Sequence, residues 1–216
     1  MAIAFDAVGI PAAELQEATF EWQHIPVGTP KGVAVIVVQE NEGDQVSGVT
    51  YGGVALGRVR TDVNATAELG RTYVYFLGSG VLAGERTVVV TLTGAEDCNA
   101  VSLTVTAATD TEVDTDAGGD FGANANPSLA ISPTTKAEIF YGIYSGLGAP
   151  VTTVEAGSTH IAGKDFGSES GMWARKSVAG GGATTIGYTA DADDVCHSAL
   201  AIREVAAVAE AYGYVI

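Results

Sequence analysis

The stretch Val46-Ser47-Gly48-Val49-Thr50-Tyr51-Gly52-Gly53-Val54-Ala55-Leu56-Gly57-Arg58-Val59 decides the fold class. Gly52-Gly53 supplies two positive-φ positions for a two-residue hairpin turn, whose twist matches that of the strands it joins. With that turn, Tyr51 faces Val54 and Val49 faces Leu56. All four side chains then lie on one face, while Thr50 and Ala55 point the other way. A slip of one residue would turn the apolar set outward, so the register is well specified.

The same pattern extends along the chain. Residues 3–8 read as a first strand. In residues 19–25, Phe20, Trp22 and His24 share one face, and Glu21 and Gln23 the other. Residues 32–40 are a nearly continuous β-branched run, the mark of a central strand covered on both faces. Residues 71–77 are aromatic and β-rich, and 87–93 and 98–108 continue the alternation, joined by a tight connection at 94–97. Residues 109–127, rich in Asp, Gly, Asn and Ala, break it and are expected to form a long surface loop. Leu129 and Ile131 are candidates to open another strand. Residues 137–143 alternate clearly. Residues 145–170 read as a large Gly/Ser/Thr-rich excursion or as one carrying a single short strand. Residues 172–178, 183–190 and 195–204 close the series. No long stretch shows sustained helical periodicity, no internal repeat is visible, and neither half shows a second core standing alone. The expectation is all-β: a two-sheet antiparallel β-sandwich, jelly-roll-like, with about a dozen strands and long loops. Residues 1–204 make one such domain, with 1–19 a candidate N-terminal arm and 205–216 an interaction arm or last strand.

Composition narrows the function classes. Of 216 residues, 47% are hydrophobic and 28 are glycine, which supplies a sizeable core and many turns. The net charge of −16 argues against nucleic-acid binding and against docking on anionic lipid, both of which need a basic patch. The start has no basic leader region and Asp6 interrupts its apolar run, so it does not read as a secretory signal. The longest apolar run, 33–38, is too short to span a membrane. Cys98 and Cys196 sit in strand-like contexts and read as buried free thiols.

Few residues suggest chemistry. Asp114, Asp116 and Asp120 crowd a Gly-containing stretch and have the oxygen-rich character of a calcium loop, although Ala125 stands where an EF-hand needs a bidentate Glu. The alternative is a solvated acidic loop. His24, His160 and His197 are scattered, without zinc-site spacing. There is no nucleophile elbow, no phosphate-binding loop, and no carboxylate pair that stands out for glycoside hydrolysis. Trp173, Tyr73, Tyr75 and Tyr144 are candidates for a sugar-binding aromatic platform or for ordinary core packing. No catalytic residue and no cofactor, calcium aside, is expected.

Three segments together resemble a β-sandwich family that recurs in bacteriophage virion proteins and some bacterial surface proteins. They are Phe20-Glu21-Trp22-Gln23-His24 followed by the run 33–38, then Val49-Thr50-Tyr51-Gly52-Gly53-Val54-Ala55-Leu56, then the closing strand Ala199-Leu200-Ala201-Ile202-Arg203-Glu204. The resemblance implies a non-enzymatic virion component, a capsid decoration or a head or tail appendage. It would be assembled in the host cytoplasm, homo-oligomeric, and bound to major capsid or tail subunits. The apolar tail, with Tyr212, Tyr214 and Ile216, is the expected contact arm. The alternative is a carbohydrate-binding module for a host surface, using an aromatic face or the calcium loop.

Overall fold

The computed structural model describes all residues except 1, 12–14, 42, 65–69, 124–125, 147–152, 168, 189–193 and 207–216. The described residues contain no helix. The first half carries β1 (Ala4–Gly9), β2 (Leu15–Gln16), β3 (Thr19–His24), β4 (Gly32–Gln39), β5 (Val46–Tyr51), β6 (Val54–Ala55), β7 (Gly57–Asn64), β8 (Gly70–Leu77), β9 (Arg86–Leu92) and β10 (Asp97–Thr106). The second carries β11 (Thr111–Ala123), β12 (Ser128–Ile131), β13 (Ala137–Ser145), β14 (Ser158–Asp165), β15 (Ser170–Val178), β16 (Thr184–Gly187) and β17 (Asp194–Glu204). Every pairing is antiparallel.

The all-β, antiparallel sandwich architecture is present, but the strands form four sheets, arranged as two sandwiches where the sequence predicts one two-sheet sandwich over residues 1–204. In the first half an inner sheet, ordered β1-β10-β4-β8-β7 with β2 beside β10, packs on an outer sheet ordered β3-β9-β5-β6. In the second half an inner sheet, β11-β17-β13-β15-β14, packs on an outer pair, β12-β16. The two inner sheets face each other, so the body has four layers and three cores. Central strand β4 shows why its sequence is β-branched throughout. Val33, Val35 and Val37 enter the first outer core beside Tyr51, Tyr73 and Val88. Ala34, Ile36 and Val38 enter the middle core against Phe140, Trp173 and Leu200 of the second half. Strand β13 does the same, with Ile139, Tyr141 and Ile143 in the second outer core. The sheets approach closely over Gly142, where an added Cβ would lie 2.6 Å from Ile36 Cγ2. Beside it the Trp173 indole donates to the Ile36 carbonyl at 3.0 Å.

The halves match in detail as well as in strand order. β1 bulges at Asp6 against β10, and β11 bulges at Asp114 against β17. β7 bulges at Val59 against β8, and β14 at Ile161 against β15. The bridge Val154–Tyr188 takes the place that β5 holds against β9. The two bulge aspartates also do the same work. Asp6 accepts the Gly28 N–H at 2.7 Å, and Asp114 accepts the Thr134 N–H at 2.5 Å. Each thereby ties an edge strand to the loop that leads into its own central strand. A repeated strand order with bulges at matching positions is the signature of one sandwich used twice.

Three further sequence expectations change. Residues 109–127 are not a surface loop: most of them form β11, a thirteen-residue edge strand. Its acidic and glycine-rich composition follows from its place. Asp116 pairs with Arg60 across the layers, and a Cβ at Gly118 would fall 2.1 Å from Asp62 Oδ2. Residues 57–64, without a strand signal in the sequence, form β7. Of the hairpin's four apolar side chains, Val49, Tyr51 and Leu56 are buried, but Val54 is 38% exposed. The turn itself forms as expected, with Tyr51 opposite Val54 and Gly52 and Gly53 at φ of 57° and 81°. Its second strand is only two residues long because the chain crosses from the outer to the inner sheet at Leu56.

Candidate functional site

The calcium candidates are placed apart by the strand they share. Asp114 sits at the bulge with its side chain 1% exposed, accepting the Thr134 amide and hydroxyl and lying 3.3 Å from Arg203 Nη1. Asp116 is held by Arg60 at 3.0 Å. Asp120 accepts the Gly122 amide of its own strand end. Each carboxylate has a protein partner of its own. Among the described residues no group of three or more His, Cys, Asp or Glu side chains is arranged to hold a metal ion. Tyr212, Tyr214 and Ile216 lie outside the described residues.

The aromatic candidates Trp173, Tyr73, Tyr75 and Tyr144 are all buried, so they present no ring face to a sugar. The Trp173 indole and the Tyr73 and Tyr75 hydroxyls are spent internally. Tyr73 donates to Gln39, and Arg58 bridges Tyr75, Asp44 and the Val46 carbonyl. No cleft or cavity of ligand size opens among the described residues.

Two histidines are buried in different ways. His24 is fully enclosed, with Nδ1 2.7 Å from Ser102 Oγ and Nε2 3.1 Å from Thr104 Oγ1. Ser102 also accepts the Trp22 indole N–H, and Thr104 donates to Asp6 at 2.9 Å. Because Thr104 spends its hydrogen on Asp6, Nε2 is the donor to Thr104, and the neutral ring leaves Nδ1 as an acceptor facing the Ser102 hydroxyl, which also lies 3.3 Å from the Gly9 carbonyl. Burial lowers its pKa to about 4. Sequence reasoning missed this chain because its partners lie 78 and 80 residues away. The duplication shows that the fold does not require it: Ala199 and Ala201 occupy on β17 the places of Ser102 and Thr104 on β10. His197 is equally enclosed but sits among Tyr141 and Phe121, with neither ring nitrogen hydrogen-bonded. Burial alone pushes its pKa down to about 3. Cys98 and Cys196 are free, buried thiols. Burial raises both, Cys196 to about 12, so neither forms a reactive thiolate near neutral pH.

Two polar clusters lie where the inner sheets meet. Arg60 forks onto Asp62 at 2.6 and 2.7 Å, Asp62 accepts from Ser198, and Ser198 lies 2.5 Å from Thr72. This cluster joins β7 and β8 of the first half to β17 of the second. At the other cluster Glu40, just past β4, meets Asp97 on β10 and Glu169 before β15. Its carboxyl is raised to about 8, by burial first and then by those two acidic neighbours.

Comparison with known proteins found no matching family model, no similar curated protein and no similar solved structure.

Proposed function

We propose that this chain is a non-enzymatic structural component of a bacteriophage virion, a capsid-decoration or head- or tail-appendage protein. The observation that carries the reading is the treatment of the sheet edges. Both outer strands of each inner sheet, β1, β7, β11 and β14, are interrupted by a bulge. Bulged edges resist strand-to-strand pairing between copies. A protein crowded at high local concentration on a particle needs that protection, and its net charge of −16 adds mutual repulsion. Asp6, Asp62, Asp114 and His24 are used as internal ties, which suits a passive, rigid body. The resemblance of its three motifs to virion sandwich proteins supports the same role. Contacts with neighbouring subunits are assigned to the loops and to the tail from residue 207, which follows the anchored Val205.

The test is fractionation of purified intact particles. The chain should sediment with them at a fixed ratio to the major shell protein, and a chain lacking residues 207–216 should fold but stay in the soluble fraction. A full-length chain found only in the soluble fraction, or one that binds glycans on an array, overturns the reading.

A further inference from the structure

We infer that β3 is a docking edge for a second copy of this chain, the two β3 strands pairing antiparallel about a two-fold axis to make one continuous outer sheet. The inference does not depend on the virion role, since the pairing belongs to the free chain. The Leu92 amide donates to the Ala18 carbonyl at 2.7 Å, which sets the phase of the ladder between β3 and β9. Bonded pairs alternate along an antiparallel ladder, so Phe20, Trp22 and His24 spend their amides and carbonyls on Val90, Val88 and Arg86. The amides and carbonyls of Thr19, Glu21 and Gln23 therefore point away from β9. On the far side of β9 the Gly52 amide donates to the Thr87 carbonyl at 2.8 Å, which gives the same phase. Thr19, Glu21 and Gln23 are exposed, and among the described residues no strand pairs with β3 beyond them.

Among the described strands the other edges are blunted. β1, β7, β11 and β14 carry bulges, and β2 and β6 are two residues long. β12 has four residues between Pro127 and Pro133. Beside β16 the Thr185 and Gly187 carbonyls accept from Lys176 and Glu155. β3 runs six residues without a register shift, and it contains neither proline nor lysine. Its one protective device is the charge of Glu21. That charge selects the register. With Glu21 opposite its own copy, two like charges would face each other directly, which is unfavourable. Shifting the pairing by two residues sets Glu21 opposite Gln23 of the second copy, twice by symmetry. Gln23 gives one side-chain N–H to Thr87 at 3.0 Å and keeps a second for the Glu21 carboxylate. Trp22 then lies on the axis, and Thr19 faces Ile25, a side chain 62% exposed in the single chain. An isologous contact closes at two copies, and the blunted edges prevent growth beyond them. Six residues from each copy make a contact below about 1,200 Å², the size class of weak association, so a dissociation constant on the order of 10–100 μM is expected.

The experiment is sedimentation equilibrium of the full chain, native and Glu21→Pro, from about 10 to about 500 μM. The Glu21 amide points outward, so proline there removes no bond within the sheet. The native chain should approach twice the 21.9 kDa of one chain as the concentration rises. Glu21→Pro should keep the native circular dichroism spectrum and associate roughly tenfold or more weakly. If Glu21→Pro unfolds, cross-linking decides alone. Bonded residues opposite one another have Cα atoms about 5.5 Å apart, within disulfide reach. An oxidised mixture of Glu21→Cys and Gln23→Cys chains should therefore link one of each, while either variant alone should link poorly to itself. Cys98 and Cys196 are buried and take no part. Three results overturn the inference. They are a native chain that stays monomeric at about 500 μM, a folded Glu21→Pro that associates as well as the native chain, and cross-linking no greater in the mixture than within either variant alone.

Discussion

Replacing Asp114 by Ala separates the structural account of β11 from a calcium-loop account. The side chain is 1% exposed and accepts two hydrogen bonds from Thr134, the amide at 2.5 Å and the hydroxyl at 2.6 Å, with Arg203 at 3.3 Å. Hydrogen bonds to a charged acceptor contribute about 1.5–3 kcal/mol each, and a buried donor left unpaired costs a further 1–3 kcal/mol. Two features reduce the total. Arg203 keeps Glu112 at 2.9 Å and also donates to the Thr134 hydroxyl, and it is one-third exposed, so solvent compensates it. A loss of about 3 kcal/mol is expected in metal-free buffer, which for a chain of this size lowers Tm by roughly 6–12 °C. Asp6→Ala removes the matching tie to Gly28 and Thr104 and should cost about 2–3 kcal/mol. Hydrogen exchange should place the first defect in the loop before β13 and the second in the loop before β4. The assay is urea unfolding followed by circular dichroism, with EDTA and then with calcium. An Asp114→Ala protein of native stability in EDTA that has lost a calcium-induced shift would refute the reasoning.

Two further outcomes follow from the cores. His24 and His197 fold as neutral rings with pKa values of about 4 and about 3, so the unfolded chain binds protons that the folded one refuses as the pH falls below 6.5. Stability should drop by on the order of 5 kcal/mol between pH 6.5 and about pH 3.5. His197→Phe should be at least as stable as the native chain at pH 7 and should show a shallower acid limb by urea titration. Gly52→Val should cost about 2–3 kcal/mol, because φ of 57° opposes a β-branched side chain and a Cβ there meets Arg86 Cδ at 2.9 Å. Gly52→Asn should cost less, and equal stabilities would contradict the turn geometry.

What the sequence revealed depended on how locally each feature was encoded. The run Val33–Val38 announced a strand buried on both faces because both faces needed branched side chains. The Gly52-Gly53 turn was legible because its φ angles demand glycine. The duplication was not legible, because the two halves share positions more than residues. Val35 corresponds to Tyr141 and Ile36 to Gly142, and loops of different length shift the register between matched strands. Asp6 and Asp114 are the clearest shared identity, and a lone aspartate in each half carries little signal. Strand β11 was hidden by its environment. An edge strand with two bulges and an ion-paired face needs acidic residues and glycines, the same composition that marks a loop. The site reading failed for a related reason. The density of acidic residues suggested a metal, whereas the partners that engage them, Thr134, Arg203 and Arg60, come from other elements.

Residue-resolved hydrogen exchange of the full chain in solution tests the central claim, one sandwich built twice and joined face to face. The account predicts that amides of β4, β10, β13 and β17 form a single slowest class, and that residues 111–123 are protected as a strand. Residues 111–123 exchanging at loop rates, with β13 and β17 opening far faster than β4 and β10, would contradict it.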